Sequence, residues 1–319
     1  MAAVLRGEER AIALACRSID DRREGVRALI DALYPHTGRA RSIGVTGSPG
    51  SGKSTLVSGL VAQFRAQGWR VAVLAVDPSS PFTGGAILGD RVRMQRHFGD
   101  SSVFIRSLAT RGAQGGLSRS VEEHVIVLDS AGYDVIVIET VGVGQDELDV
   151  SAVAESTIVV VAPGMGDDIQ AVKAGVLEIA DVFVVNKADR EGADRTAAEL
   201  EQRLELGRLV GAPSAASDAW QAPILQCVAL SDRGLPEVAQ ALARHRVWLD
   251  TPAGSARWAE RRQTSAERLV FSLICERMAS ALEPELQAVA ARLADRRLSP
   301  NAAADELLAG IGSGKVSER

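Results

Sequence analysis

Two periodicities divide the chain. Up to residue 33, apolar side chains return at helical spacing among charges (Leu5, Ile12, Leu14, Val26, Leu29, Ile30 and Leu33), with an interruption near 18–21 and an end at Tyr34-Pro35-His36-Thr37-Gly38. From Ser42 short β-branched runs take over, each followed by a turn and a segment of helical length. The predicted strands are 42–46, 71–76, 103–106, 135–139, 157–162, 182–186 and 224–228. The predicted helices between them are 53–67, 117–131, 168–179, 195–209 and 235–248. Most of the strand runs are continuously apolar rather than alternating, as in strands covered on both faces of a parallel sheet. Strand–helix alternation of this kind predicts an α/β fold with a doubly wound, mostly parallel sheet. After Trp248 the strands stop. A short break at 251–255 is followed by helical patterns over 256–282, 284–296 and from Ser299, where Ser299-Pro300 reads as a cap with Pro at the first helical position. Leu269, Phe271, Leu273, Ile274, Met278 and Leu282 form an apolar stripe that suits either packing on the chain's own core or a dimerisation arm. The expected organisation is an N-terminal helical extension (1–41), a sheet domain (42–250) and a C-terminal helical arm (251–319).

Composition narrows the classes. Of 319 residues, 46% are hydrophobic but only 4% aromatic, so the core is aliphatic. The formal net charge of −5 and the ordinary 24% of charged residues argue against a nucleic-acid or anionic-membrane binder, which needs a basic face, and against wholesale disorder. Cys16, Cys227 and Cys275 are far apart, with no CxxC pair, and read as single thiols in a reducing compartment. The apolar run 158–162 is far short of the ~18 residues of a membrane span. The first apolar stretch, broken by Arg6, Glu8, Glu9 and Arg10, does not read as a secretory signal. A cytoplasmic protein is expected.

The chemistry begins at Gly47-Ser48-Pro49-Gly50-Ser51-Gly52-Lys53-Ser54, a complete GxxxxGK[ST] between a strand and a helix that opens with Thr55. Its glycines let backbone N–H groups turn inward on phosphate oxygens, the helix N-terminus adds partial positive charge, Lys53 reaches the β- and γ-phosphates, and the Ser54 hydroxyl suits Mg²⁺. Gly312-Ser313-Gly314-Lys315 imitates the motif, but Ala309 stands where its first Gly belongs and Val316 where Ser/Thr belongs.

Asn186-Lys187-Ala188-Asp189 ends the strand 182–186 as NKxD. Guanine offers two donors, N1–H and the exocyclic amine, and the Asp189 carboxylate can accept both; adenine has no such pair. Asn186 would tie this loop to the phosphate cradle, and Lys187 would lay its aliphatic stem along the base. A further base contact is expected from Val228, Ala229 and Leu230, with the Ala229 N–H on the base oxygen, although the Ser common at this place is Val228. Asp77 and Glu139 close two strands at the sheet's carboxyl edge, where open α/β folds bind ligands, and are candidate Mg²⁺ carboxylates. Gly142 follows in Glu139-Thr140-Val141-Gly142 and can sense a γ-phosphate; Asp90 is a further metal or catalytic carboxylate, and Arg111 and Lys173 are candidates for coupling to a partner. Gly-rich stretches at 78–91, 106–120 and 163–168 suit nucleotide switches. Gln145 stands three residues after Gly142, so no hydrolytic Gln directly follows the motif, and slow turnover stimulated by a partner is expected.

These residues together resemble the MeaB/ArgK family, GTPases associated with methylmalonyl-CoA mutase. The resemblance rests on 73–80 (VLAVDPSS), 83–91 (TGGAILGDR), Arg93-Met94, 104–107 (FIRS), Arg111-Gly112, 139–145 (ETVGVGQ) and 163–167 (PGMGD), and it covers nearly the whole chain. It implies a P-loop GTPase of the metallochaperone-like branch, a homodimer that binds GTP or GDP with Mg²⁺. It implies a chaperone that assembles, protects or reactivates an adenosylcobalamin-dependent acyl-CoA mutase. On this resemblance Lys53, Asp90 and Glu139 are the catalytic candidates, Ser54, Asp77, Asp90 and Glu139 the Mg²⁺ and switch candidates, and 164–173 the switch that meets the mutase. Two alternatives stand beside it. A nickel-insertion GTPase of the same fold would carry clustered His and Cys, whereas His36, His97, His124 and His245 are scattered. An ATP-dependent kinase or transport ATPase does not suit a guanine-reading Asp189.

Overall fold

The computed structural model describes residues 1–77, 94–109, 116–140, 146–164, 174–211 and 218–312. Its seven strands are β1 (Arg41–Gly47), β2 (Val71–Asp77), β3 (Val103–Ala109), β4 (Val135–Thr140), β5 (Ser156–Val161), β6 (Val182–Val185) and β7 (Ile224–Gln226). They form one sheet in the order β3-β2-β4-β1-β5-β6-β7, and every pairing is parallel. The doubly wound expectation holds, and it holds for the reason the pattern suggested: β4 and β5 are buried at every position. Successive residues feed opposite layers. Val71, Val73, Val135 and Val137 join one core cluster; Ala72, Leu74, Ile136 and Ile138 join another.

The helices, in chain order, are α1 (Ala2–Leu5), α2 (Glu9–Asp20), α3 (Val26–Leu33), α4 (Lys53–Ala66), α5 (Gly116–Ser130), α6 (Asp146–Val153), α7 (Ala174–Ile179), α8 (Ala193–Gly211), α9 (Leu235–Leu249), α10 (Pro252–Ala281), α11 (Glu283–Ala294) and α12 (Pro300–Gly312). One sheet face packs on α4 and α9 through Leu56, Leu60, Val238 and Leu242. The other packs on α5 and the N-terminal helices, whose Ile12, Cys16, Ile19 and Leu33 are buried in the same cluster as Leu74 and Ile138. The first 33 residues therefore complete the sheet's second layer. A charged knot helps to seat them: Asp20 of α2 pairs with Arg106 of β3 and lies 3.4 Å from His124 of α5.

Several boundaries moved. β3 runs three residues past the predicted 106, because its pairing with β2 continues through Asp77 and Ala109. β7 stops at Gln226, two residues before the predicted 228, where the chain turns and Val228 bridges back to Arg233. The predicted break at 251–255 is a helix start instead: the Thr251 hydroxyl accepts the Gly254 N–H at 3.2 Å, a capping contact, and Pro252 stands at the first helical position. Of the predicted helix 168–179, only 174–179 lies within the described residues.

By contacts the chain divides into residues 1–262 and 263–319. The second unit has a thin core, with Leu282, Val289 and Ala303 buried. The Ser299 hydroxyl caps α12 by accepting the Ala302 N–H at 3.2 Å, as its sequence suggested. Among the described residues no helix is long and apolar enough to cross a membrane.

Candidate nucleotide site

The site is built where the sheet's winding reverses. β1 pairs with β4 on one side and β5 on the other, so the chain leaving β1 enters the crevice that open α/β sheets offer a ligand. There Gly47 ends the strand at φ +132°, Gly50 and Gly52 take φ +78° and +94°, and α4 begins at Lys53. A side chain at Gly52 would strike the Asn186 amide, and one at Gly47 the Val160 carbonyl, so the loop is wedged between β5 and the end of β6. Ser48 is half-buried, and Pro49 and Gly50 form an exposed lip.

Inside this cradle Lys53 is buried, and its Nζ donates to the carbonyls of Gly47 (2.6 Å) and Ser48 (3.0 Å). Ser51 Oγ is buried with no hydrogen-bond partner among the described residues. Ammonium, hydroxyl and the first N–H groups of α4 gather donors in one place, a set that fits an anion. Beside it the Ser54 hydroxyl donates to Glu139 Oε1 at 2.6 Å, both residues being buried. Behind that pair the Thr140 hydroxyl donates to that of Thr46 at 3.0 Å, closing β4 on β1. A serine hydroxyl against a carboxylate is a hard-oxygen donor set, and it fits Mg²⁺. Asp77 ends β2 on the same edge. Asp90, Gly142, Arg111 and Lys173 lie outside the described residues.

Asn186 is the hinge pin of the site. Its Nδ2 donates to the Ser51 carbonyl at 2.8 Å, and its Oδ1 accepts the Ala229 N–H at 3.0 Å. One buried amide thus joins the phosphate loop, the end of β6 and the turn after β7. The Ala229 N–H, expected on a base oxygen, donates to Asn186 in this structure; Ala229 itself is buried and Leu230 is 89% exposed. Lys187 adopts φ +58° and donates from Nζ to the Gly50 carbonyl at 2.5 Å, which lays its stem across the mouth of the loop. Asp189 is exposed two residues on, and Val228 is half-buried in the facing turn.

Two contributors went unread in the sequence. Cys227 donates from Sγ to Asn186 Oδ1 at 3.4 Å, and burial pushes its pKa up to about 12, so the thiol stays protonated and able to donate. Its place just before Val228 was the available signal. Arg96 and His97 pin the chain to α4: Arg96 donates to the Ser58 carbonyl at 2.5 Å, and His97 Nε2 lies 2.8 Å from the same oxygen. Burial holds the His97 pKa below its ordinary value.

A parallel sheet wound on both faces, with a glycine loop wrapping the N-terminus of the helix after its central strand, defines an α/β nucleotide-binding protein of the P-loop NTPase class. Comparison with known proteins makes this specific. Residues 9–284 match the family model described as Methylmalonyl Co-A mutase-associated GTPase MeaB, and the chain belongs to that family. A Pyrococcus horikoshii protein that carries the name GTPase is 43% identical over 95% of this chain and 94% of its own. The mitochondrial methylmalonic aciduria type A homolog of Caenorhabditis elegans is 33% identical over 83% of this chain and 67% of its own. The crystal structure of LAO/AO transport system kinase superposes with a TM-score of 0.68, at 26% identity, over 98% of this chain and 96% of that one.

Proposed function

We propose that this MeaB-family GTPase is a chaperone that assembles, protects or reactivates an adenosylcobalamin-dependent acyl-CoA mutase, methylmalonyl-CoA mutase first among them, with GTP binding and hydrolysis as its signal. The family's description and the name of the Caenorhabditis elegans relative support the partner. The observation that carries the nucleotide part is Asn186, whose one amide holds Ser51 and Ala229 together.

In this reading Gly47 to Thr55 enclose the phosphates, and Lys53 exchanges the Gly47 and Ser48 carbonyls for β- and γ-phosphate oxygens. Ser54 and Glu139, with Asp77 and Asp90, hold Mg²⁺. Bound there, Mg²⁺ supplies charge neutralisation at the phosphates, which an acidic protein otherwise lacks. Lys187 and Asp189 face the base from one side, and Val228, Ala229 and Leu230 from the other. Glu139 and Asp90 orient the attacking water; no covalent nucleophile is needed for phosphoryl transfer to water. Gly142 and the 164–173 segment respond to the γ-phosphate and present the result to the mutase. Val270, Phe271 and Ile274, exposed apolar residues of α10, suit a homodimerisation arm.

The test has two parts. Fluorescent GTP and ATP analogues titrated with Mg²⁺ report the base preference; equal affinity would remove the guanine reading. Phosphate release is then followed with and without purified methylmalonyl-CoA, isobutyryl-CoA and ethylmalonyl-CoA mutases. Stimulation by one of them is expected, and turnover indifferent to all three would sink the chaperone role.

A further inference from the structure

The edge of the sheet opposite the nucleotide site holds a buried carboxylate with an unusual pair of partners. Asp181 stands just before β6 and is fully buried. It is locked to β5 in both directions: its N–H donates to the Thr157 carbonyl at 2.8 Å, and its Oδ2 accepts the Thr157 N–H at 2.9 Å. Arg257 and Arg261, one turn apart in the first turns of α10, converge on it at 3.4 and 3.3 Å, and His245 Nε2 lies 3.4 Å away.

The two arginines are not equivalent. Arg257 reaches Asp181 and lies over the Trp248 ring, 5.7 Å from its centroid. Arg261 spends one arm on Asp181 and the other on the carbonyls of Ser151 (2.8 Å) and Ala154 (3.2 Å). Those carbonyls belong to the C-terminal end of α6, where a helix leaves its last acceptors open. α6 begins six residues after Thr140, the last residue of the strand that carries Glu139. Val150 of α6 and Ala154 just after it lie against Gly44 of β1, where even a methyl group would come within 3.0 Å of Val150. One planar guanidinium therefore bridges the amino edge of the sheet and the end of the helix that follows the strand carrying Glu139.

We infer that Arg261 couples the nucleotide site to the root of α10: displacement of α6 pulls the guanidinium between Asp181 and the Ser151 and Ala154 carbonyls, and so changes the order of residues 252–262. Such a transfer is cheap because Arg257 and the Thr157 N–H stay on Asp181, so the buried charge is never abandoned. The planar fork of an arginine can hold both sides at once, which a lysine cannot. The inference deepens the proposed GTPase cycle and rests on it.

Hydrogen exchange of the full chain, with GDP or a non-hydrolysable GTP analogue and Mg²⁺, tests it, with nucleotide occupancy measured in the same samples. In the wild type, exchange in 146–154 and in 252–262 differs between the two states by about threefold or more. In Arg261→Ala the difference in 252–262 disappears and that in 146–154 stays; in Arg257→Ala both stay. If Arg261→Ala is poorly folded, Arg261→Lys carries the same expectation. No nucleotide response in either segment of the occupied wild type, or a response in 252–262 that survives loss of Arg261, overturns the coupling. Failure to bind either nucleotide overturns the GTPase reading as well and is seen separately in the occupancy.

Discussion

The two edges of the sheet use similar side chains to opposite ends. At the carboxyl edge a serine and a carboxylate, Ser54 and Glu139, meet beside Lys53 at the start of α4. At the amino edge Ser156, His245 and Asp181 close on one another: Ser156 Oγ lies 2.7 Å from His245 Nδ1, and Trp220 and Trp248 cover the imidazole. The winding explains the difference. In a parallel sheet each helix starts at the carboxyl edge and ends at the amino edge, so the first collects N–H groups and the second collects carbonyls. Donors in excess call for an anionic ligand from outside. Carbonyls in excess call for arginines from inside, and Arg261 on Ser151 and Ala154 answers that need. A serine, a histidine and an aspartate in contact are thus a structural knot here, since Ser156, His245 and Asp181 are all buried.

The comparison can be broken at either edge, and the largest effect belongs to the closed one. Asp181→Ala strands two guanidiniums and costs about 3–5 kcal/mol of stability by chemical denaturation, while affinity for nucleotide in the folded fraction stays within about threefold. Lys53→Ala does the reverse: GTP turnover, read by phosphate release, falls by roughly 10³-fold, and the unfolding midpoint barely moves. A Lys53 variant with near-normal turnover would remove the phosphate role.

Acid sharpens the contrast next. Burial chiefly holds His245 down to about 4, below its ordinary 6.5, so the fold prefers the neutral ring. The groups facing it are Ser156, Asp181, Trp220, Trp248, Arg257 and Arg261. Its contribution is complete above pH 6.5 and is lost as pH falls through 6.5 towards 4, amounting to roughly 3 kcal/mol. Stability measured across that window should therefore decline in the wild type, and the decline should flatten in His245→Gln. At the open edge, Asp189→Asn removes a charged acceptor and should cut the preference for GTP over ATP by roughly 10- to 100-fold in competition binding. The opposite pH dependence sits on α5. Burial, with Glu123 adding to it, pushes Glu122 up to about 7. A raised carboxyl contributes stability that is complete below its ordinary 4.5 and is lost as pH rises from there to 7, so Glu122→Gln should raise the melting temperature at pH 8 and leave it nearly unchanged at pH 5.

Much of the carboxyl edge was legible beforehand, because its parts are contiguous. The cradle 47–54 and the tetrad 186–189 are short runs whose residue types announce their backbone shape and their chemistry. The amino edge was illegible for the opposite reason. Asp181, His245, Arg257 and Arg261 share no short motif; nothing in their spacing says that β5, β6, α6 and α10 bring them to one point. The bond from the Ala229 N–H to Asn186 was illegible for a related reason: Asn186 lies 43 residues away and meets it only once β6 and β7 pair.

The class of fold, the alternation of strands and helices, the phosphate loop and its glycines, and the capped start at Ser299 are all written locally in the chain. Each of these follows from local rules: side-chain periodicity, allowed φ, and hydrogen bonds between near neighbours. The order of the strands, the completion of the sheet's second layer by the N-terminal helices, the pinning of Ser51 to Ala229 by Asn186, and the meeting of two arginines on one buried aspartate arise with the folded packing. Those are contacts between residues far apart in the chain, and their free energy depends on packing that exists only after the sheet has formed.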